Sequence, residues 1–116
     1  IEAAKQGDNL IVYGDGNQIR SFCHIEDATD ALIRVSKING ELFNIGNDEP
    51  TSIIDLANKV IELSGSSSSV EIVPYEKAFS KNHGDINRRI PDLTKIRSAI
   101  EYVPRYSLDD IIKDML

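Results

Sequence analysis

The order of apolar and polar residues predicts short helices that alternate with short strands. Residues 1–7 are typical of the end of an amphipathic helix, which stops at Gly7 because glycine readily adopts the left-handed conformation found there. Leu10–Tyr13 is a run of β-branched and aromatic side chains that predicts a strand. The Asp-Gly pair after it predicts a tight turn, and the alternation over residues 18–25 predicts a strand that returns beside the first.

The rest of the chain continues this alternation. Helices are predicted where apolar residues recur at spacings of three and four behind a residue that can cap a helix. The predicted elements are a helix over 28–37 capped by Asp27, a strand over 42–47, a helix over 53–64 opened by Ser52 and Asp55 and closed by Gly65, a strand over 70–73, a long loop over 74–90, a helix over 93–100 capped by Asp92 and a last helix from Ser107 to Leu116. The predicted fold class is a small mixed α/β unit.

Composition favours a single domain over residues 1–116 and excludes several classes of protein. The chain carries 13 Lys and Arg against 19 Asp and Glu, a net charge of −6, and 41% of its residues are hydrophobic. This acidity argues against a nucleic-acid polymer as partner, because binding to phosphates needs surplus positive charge. No apolar run approaches the ~18 residues that cross a bilayer, so no membrane partner is expected. The single Cys23 fits a reducing cytoplasm, and one cysteine with two histidines is too few for a zinc site.

Familiar catalytic motifs are absent from the sequence. No tyrosine is followed by a lysine four positions later, and no Walker loop, Gly-x-Ser-x-Gly or His-Glu-x-x-His motif occurs. Gly14 and Gly16 lack the third glycine of a dinucleotide-binding loop and precede a predicted strand, so a hairpin turn is the simpler interpretation. The chain starts at Ile1, inside a predicted helix, and we expect it to be a piece of a longer protein.

Three arginines are candidates for binding an anion. Arg20 follows the turn, and Arg88 and Arg89 lie in the long loop before a proline. Guanidinium groups bind phosphate through two parallel hydrogen bonds, so arginines gathered in an acidic chain can form an anion clamp. The alternative is a solvated loop in which Arg88 and Arg89 pair with Asp85 or Asp92.

Other polar residues have simpler structural interpretations. Asn44 and Gly46 lie at a strand-to-loop corner, where turn geometry alone would explain the glycine. His24 and His83 are isolated histidines, for which a structural or exposed position is the alternative to acid–base chemistry. Cys23 is more typical of a small buried apolar residue than of a nucleophile.

Four segments, in order and across nearly the whole chain, resemble the extended short-chain dehydrogenase/reductase family of NAD-dependent nucleotide-sugar epimerases, dehydratases and decarboxylases. The segments are LIVYGDGNQIRSFCHIED (10–27), FNIGN with Thr51-Ser52 (43–52), RRIPDLTK (88–95) and YVPRYSL (102–108). The family's Rossmann domain, with its Gly-rich NAD loop and Tyr-x-x-x-Lys pair, is missing. The resemblance therefore implies that residues 1–116 are the C-terminal, nucleotide-sugar-binding part of such an enzyme.

The resemblance also implies a function and a set of partners. The first expectation is a UDP-glucose 4-epimerase-like enzyme, with a UDP-glucuronate decarboxylase or a dTDP-glucose 4,6-dehydratase as alternatives. The expected partners are a nucleotide-diphosphate sugar, the protein's own N-terminal Rossmann domain with its NAD, and a second copy in a full-length homodimer. This piece alone is expected to be inactive, and no catalytic residue is assigned to it. The alternative of another class is a non-catalytic domain that binds a nucleotide sugar or a protein.

Residue by residue, the resemblance implies contacts to the substrate's two ends. Arg20 and Arg89 match arginines that contact the diphosphate region, and Arg88 is a neighbour that could substitute. The strand before the turn borders the nucleoside base, which implicates the backbone of Val12 and Tyr13. Asn44, with Gly46, matches the family's strand-to-loop corner, which makes Asn44 a further candidate for substrate binding.

Overall fold

The structure is a computed structural model that describes residues 1–78 and 86–116. Its helices are α1 (Glu2–Gln6), α2 (Ile25–Val35), α3 (Ile53–Ser64), α4 (Tyr75–Ala78), α5 (Thr94–Ile100) and α6 (Leu108–Met115), and its strands are β1 (Leu10–Tyr13), β2 (Ile19–Arg20), β3 (Thr51–Ser52) and β4 (Val70–Val73). β1 and β4 pair in parallel, with Leu10 opposite Val70, whereas β2 and β3 pair antiparallel. The predicted mixed α/β class is confirmed. The expectations for His83 and Asp85 lie outside the described residues.

Capping residues begin and end the later helices as predicted. Ser52 Oγ accepts a hydrogen bond from the N–H of Asp55 at 3.0 Å and opens α3. Ser107 and Asp110 form a complete capping box at the start of α6, in which each side chain accepts from the other's backbone N–H. Gly65, with φ of 63°, closes α3 in the left-handed conformation.

The start of α2 differs from the prediction, because His24 rather than Asp27 caps this helix. Nδ1 of His24 accepts from the N–H of Glu26 at 3.2 Å, so the helix begins one residue after His24. Asp27 is only 2% exposed, and its carboxylate accepts from the N–H groups of Arg105 and Tyr106 at 2.9 and 3.2 Å and from Nε of Arg105 at 3.0 Å. The carboxylate thus binds a distant loop instead of the helix start.

The return strand predicted over residues 18–25 is wrong. Only Ile19–Arg20 form a strand, and they pair with β3 rather than with β1. The cause lies in the preceding turn, where the carbonyls of Gly16 and Gln18 accept the first two N–H groups of α3 at 3.0 and 3.1 Å. These bonds satisfy helix donors that would otherwise lack partners, and they direct the chain away from β1.

The strand predicted over residues 42–47 is also wrong, because the segment has no strand partner among the described residues. Side chains of α5 hold its two ends instead. Lys95 Nζ lies 2.6 Å from Glu41 Oε2, and Arg97 donates two hydrogen bonds to Asp48 at 2.8 and 3.0 Å. The residue pattern is that of a strand, but a ladder needs a neighbouring strand.

The remaining expectations hold with small shifts. β4 forms at residues 70–73 as predicted, and α1 ends at Gly7, whose φ is 77°. The predicted loop over 74–90 contains α4 at its start. α5 begins at Thr94, one residue later than predicted, and Asp92 Oδ1 accepts the Thr94 N–H at 2.8 Å.

Two separate apolar clusters hold these elements together. One contains buried Ala31, Leu93, Ile96 and Tyr102, and the other contains buried Ala4, Val60 and Ile112. The radius of gyration is 16.8 Å and the smallest extent is 17 Å, whereas a compact chain of this length has a radius near ~13 Å. The flat shape leaves large apolar side chains in solvent, and Leu42, at 85% exposure, is the most exposed of those that the structure describes.

Replacing Asp27 with Ala should lower the free energy of unfolding by about 3 kcal/mol, because three donors to a buried carboxylate lose their acceptor. Urea denaturation measures the change. The matched control is Asp30→Ala on the same helix, where an exposed pair with Arg34 at 3.3 Å should contribute less than ~0.5 kcal/mol. Equal losses in the two variants would contradict the structural role of Asp27.

Candidate functional site

A cavity of about 680 Å³ opens beside β2. Four parts of the chain supply its wall: the residues that end and follow β2, the corner at 44–47, the start of α3 and the segment before α5. The lining residues are Arg20, Ser21, Phe22, Cys23, Asn44, Ile45, Gly46, Asn47, Ile53, Leu56, Arg89, Ile90, Pro91 and Asp92. Two cations, three amide or hydroxyl side chains and several apolar groups therefore face one volume, a mixture typical of sites for small polar ligands.

Main-chain hydrogen bonds bring the two arginines of the wall together. The N–H of Ile19 donates to Asn87 O at 2.8 Å, and the N–H of Arg89 donates to Ile19 O at 3.1 Å, so residues 87–89 run beside β2. Arg20 is half-buried, and its Nη1 donates to the carbonyl of Ile86 at 2.7 Å. A short bridge between distant parts of the chain thus places Arg20 and Arg89 on the same wall.

The charge on this wall is mixed, and the alternative interpretation can be compared only for Asp92, because Asp85 lies outside the described residues. Within residues 1–78 and 86–116, neither Arg88 nor Arg89 forms an ion pair. Asp92 Oδ1 accepts the N–H of Thr94 at the start of α5, and hydrogen bonds from the side chain and the backbone N–H of Thr94 lower the pKa of Asp92. Its negative charge is therefore held at the helix start.

The corner at residues 44–47 is fixed to the opposite side of the cavity. Asn44 Nδ2 donates to Asp92 O at 3.2 Å, and the hydroxyl of buried Tyr102 donates to Gly46 O at 2.8 Å. A Cβ on Gly46 would lie 3.2 Å from Cγ of Pro91, so the two segments approach as closely as a glycine allows. This contact gives Gly46 a reason beyond turn chemistry.

Cys23 forms a neutral part of the wall. Its Sγ lies 3.5 Å from His24 O and 3.7 Å from the hydroxyl of Tyr102. Burial raises the pKa of the thiol and the negative charge of Asp27 adds to this, whereas the contact with Tyr102 opposes it. A protonated thiol is a weak nucleophile, which agrees with the prediction of a small apolar role.

The structure brings three of the six predicted site residues to this cavity, namely Arg20, Arg89 and Asn44. Arg88 takes part in the bridge to Ile19, but it does not line the cavity. Val12 is 3% exposed and its side chain packs under the turn, while Tyr13 is 43% exposed at the end of β1.

Several wall residues were not predicted from the sequence. Phe22, Leu56, Pro91 and Asp92 line the cavity, yet Asp92 was predicted only as a helix cap or as an ion-pair partner of Arg88 and Arg89. The signal available was position, because Phe22, Pro91 and Asp92 lie within segments of the family resemblance. Leu56 carried no such signal, since it belongs to the apolar face of a helix.

The turn at Gly14 and Gly16 does not fit a dinucleotide-binding loop. A dinucleotide-binding loop needs open space beside its glycines, so that the backbone can approach a pyrophosphate. A Cβ on Gly14 would lie 2.5 Å from Cε2 of Tyr75, and a Cβ on Gly16 would lie 3.0 Å from Cβ of Ile54. These faces are filled by the protein's own side chains.

Two further site classes can be compared with the same residues. Among residues 1–78 and 86–116, no group of His, Cys, Asp and Glu side chains is arranged to hold a metal ion. No helix in this part of the chain has the length and apolarity needed to span a membrane.

Comparison with known sequences gives matches over the whole chain. The family model described as GDP-mannose 4,6 dehydratase matches residues 1–115. A UDP-N-acetyl-alpha-D-glucosaminuronate decarboxylase from Bacillus cytotoxicus is 39% identical over 118 residues, which cover 100% of this chain and 37% of that protein. UDP-glucuronic acid decarboxylase 3 from Arabidopsis thaliana is 32% identical over 93% of this chain and 30% of its own length. The chain thus spans about a third of these curated relatives.

Solved structures give the same picture. The UDP-glucose 4-epimerase from Thermotoga maritima with UDP-glucose superimposes with a TM-score of 0.82 at 25% identity, over 97% of this chain and 35% of that one. The UDP-glucuronic acid 4-epimerase from Bacillus cereus, in complex with UDP-glucuronic acid and NAD, gives a TM-score of 0.80 at 25% identity over the same shares.

The raised pKa of Cys23 predicts slow alkylation. At pH 8 the folded chain should react with iodoacetamide several-fold more slowly than the same chain in urea, because less thiolate is present and Sγ is half-buried. Plotting the rate against pH should place the inflection above the ordinary thiol value of about 8.5. An inflection below that value would show an activated thiol instead.

Proposed function

Because the chain belongs to the extended short-chain dehydrogenase/reductase family of nucleotide-sugar epimerases, dehydratases and decarboxylases, we propose that it is the substrate-binding part of an NAD-dependent enzyme that modifies a UDP-linked sugar. The observation that carries this proposal is the shared cavity wall of Arg20 and Arg89. In this proposal, residues 1–116 form a single substrate-binding domain.

The diphosphate is the part of the ligand that this wall suits best. A nucleoside diphosphate sugar brings about two negative charges, and a chain of net charge −6 must oppose them locally. Arg20 and Arg89 supply two guanidinium groups, and Asn44 adds an amide at the facing corner. Charge-assisted hydrogen bonds in a partly desolvated cavity are about twice as strong as neutral ones. The sugar and the base then extend to either side, with the base toward the end of β1 at Val12 and Tyr13.

Two reactions on such a substrate have support. The relatives at 39% and 32% identity are decarboxylases of UDP-uronates, and this favours decarboxylation as the activity of the whole protein. The solved structures at 25% identity are 4-epimerases, which is the activity that we expected first from the sequence. Assays of the full-length protein with UDP-glucuronate, UDP-N-acetylglucosaminuronate and UDP-glucose decide between them, because decarboxylation releases CO₂ and epimerisation does not.

The redox chemistry requires a cofactor that this chain does not hold. Hydride transfer at the sugar needs NAD, and we assign NAD to the protein's own N-terminal Rossmann domain. The extended segment 42–47 supports such a partner, since it has a strand pattern and no strand beside it among the described residues. A homodimer of the full-length protein and a cytoplasmic location, which a lone thiol favours, stay predictions.

The competing class, a non-catalytic binding domain, makes a different prediction about the rest of the gene. An enzyme of this family requires a Gly-rich loop and a Tyr-x-x-x-Lys pair in the sequence before Ile1. Reading that sequence from the source DNA is a direct test. Absence of both motifs would favour the binding domain.

Arg89→Ala should weaken binding of UDP to the chain by about tenfold to hundredfold, because the variant loses a charge-assisted hydrogen bond to the diphosphate. Isothermal calorimetry at low salt measures the change. Arg88→Ala isolates the neighbouring guanidinium that does not line the cavity, and Arg34→Ala in the last turn of α2 removes the same charge at a residue that does not line the cavity either. Both should change affinity less than threefold. Equal losses in all three variants would indicate only long-range charge.

The isolated chain should give no turnover with NAD and a UDP-hexose or UDP-hexuronate, because its sequence has no Tyr-x-x-x-Lys pair and its glycine turn is filled by side chains. Proton NMR of the sugar anomeric region detects an epimer or a decarboxylated product. Formation of either product by the purified chain would overturn the division of roles between two halves.

A further inference from the structure

Gln18 is a buried side chain at the junction of three elements, of which α3 lines the cavity that holds Arg20 and Arg89. It is 6% exposed, and its Nε2 donates to Tyr13 O at 3.0 Å and also to the hydroxyl of Tyr75. The main-chain carbonyl of Gln18 accepts the N–H of Ile53 at 3.1 Å. One residue therefore joins the end of β1, the start of α4 and the start of α3.

The contact between Gln18 and Tyr75 closes tightly over the turn. A Cβ on Gly14 would lie 2.6 Å from Nε2 of Gln18 and 2.5 Å from Cε2 of Tyr75, and Gly14 has a φ of 79°. Only glycine satisfies both the conformation and the space. The amide, the phenol ring and the turn are thus packed as one interlocked group.

Oε1 of Gln18 is buried and has no hydrogen-bond partner among the described residues. An orphaned buried acceptor is unfavourable, and an apolar side chain of similar size would avoid it. The two bonds donated by Nε2 fix the side chain between Tyr13 and Tyr75, and the main chain that follows leads to the two arginines of the cavity.

The main chain after Gln18 contains one arginine of the cavity and is hydrogen-bonded to the other. The next residue, Ile19, donates its N–H to Asn87 O at 2.8 Å and accepts the N–H of Arg89 at 3.1 Å. The residue after it is Arg20. A shift of the backbone at Gln18 therefore moves Ile19, which is hydrogen-bonded to Arg89, and Arg20, which is the next residue in the chain.

We propose that Gln18 is a positioning residue, which ties Tyr13 to Tyr75 and thereby sets the placement of Arg20 and Arg89 relative to each other. It does not touch the ligand. Its effect on nucleotide binding rests on the proposed function, whereas its effect on β2 and residues 87–89 does not.

Amide hydrogen exchange tests the part that is independent of any ligand. In Gln18→Leu, the amides of Ile19 and Arg89 should exchange about tenfold faster than in the wild type, while amides of α6 keep their protection. The control is Gln6→Leu, which makes the same substitution at an exposed position of α1. Unchanged exchange at Ile19 and Arg89 would overturn the proposal. An equal loss of protection in α6 would also overturn it, because Gln18 would then act on global stability.

Tyr75→Phe serves where Gln18→Leu does not fold. This variant keeps the ring against Gly14 and removes the oxygen that accepts from Gln18 Nε2. Faster exchange at Ile19 and Arg89 supports the proposal, and wild-type exchange there contradicts it.

A double-mutant cycle with UDP tests the part that concerns binding. In the wild-type background Arg89→Ala should weaken UDP at least tenfold, but in the Gln18→Leu background the same change should weaken it less than threefold, because Arg89 is already misplaced. An equal factor in both backgrounds overturns positioning. If the wild-type chain does not bind UDP, the proposed function fails for this chain, and the exchange experiment still decides the role of Gln18.

Discussion

The turn at residues 14–18 is the point on which the arrangement of this chain depends, because its main chain is bound from two directions. The carbonyls of Gly16 and Gln18 accept the first N–H groups of α3, and the next residue exchanges hydrogen bonds with residues 87 and 89. The first N–H groups of α3 have no partner within the helix, and the carbonyls of the turn satisfy them. The same turn leads into Ile19, which bridges to residues 87 and 89. The same few peptides tie α3 and residues 87–89 to β2, next to the two arginines of the cavity.

The facing wall follows from a different set of contacts. The corner at 44–47 has no ladder within the described residues, yet it is held by Tyr102 from the first apolar cluster and by ion pairs from α5. Asn44 and Asp92 meet there through a side-chain bond to a carbonyl. The cavity therefore lies between a turn that is held by main-chain hydrogen bonds and a corner that is held by side-chain contacts.

The chain is flat and leaves several large apolar side chains exposed. A chain of this composition can bury a core, but here apolar residues are divided between two small clusters, and Leu42, Ile25 and Val103 remain in solvent. The relatives are about three times as long as this chain. Exposed apolar surface of this kind is typical of a site of contact with another protein or domain.

Local chemistry predicted the elements that depend on neighbours in sequence. The caps at Ser52 and Ser107, the stop at Gly65 and the strand at 70–73 need only residues within a few positions, so the sequence determined them, and the order of its motifs determined the family. Pairing was different. Whether residues 18–25 return beside β1, whether Asp27 caps α2 or binds Arg105, and whether 42–47 is a strand each depends on a partner distant in sequence.

The sequence identified Arg20, Arg89 and Asn44 as candidates. It could not show that they share a cavity with Phe22 and Leu56, because that depends on contacts between distant segments. Nor could it show which candidates lie off the cavity wall, namely Val12, Tyr13 and Arg88. Hydrogen-bond donors and acceptors are chemically alike along a chain, and the sequence alone does not specify which distant pair will meet. The tertiary structure decided those pairings, since burial leaves each backbone group needing a partner and only the packed fold brings one within reach.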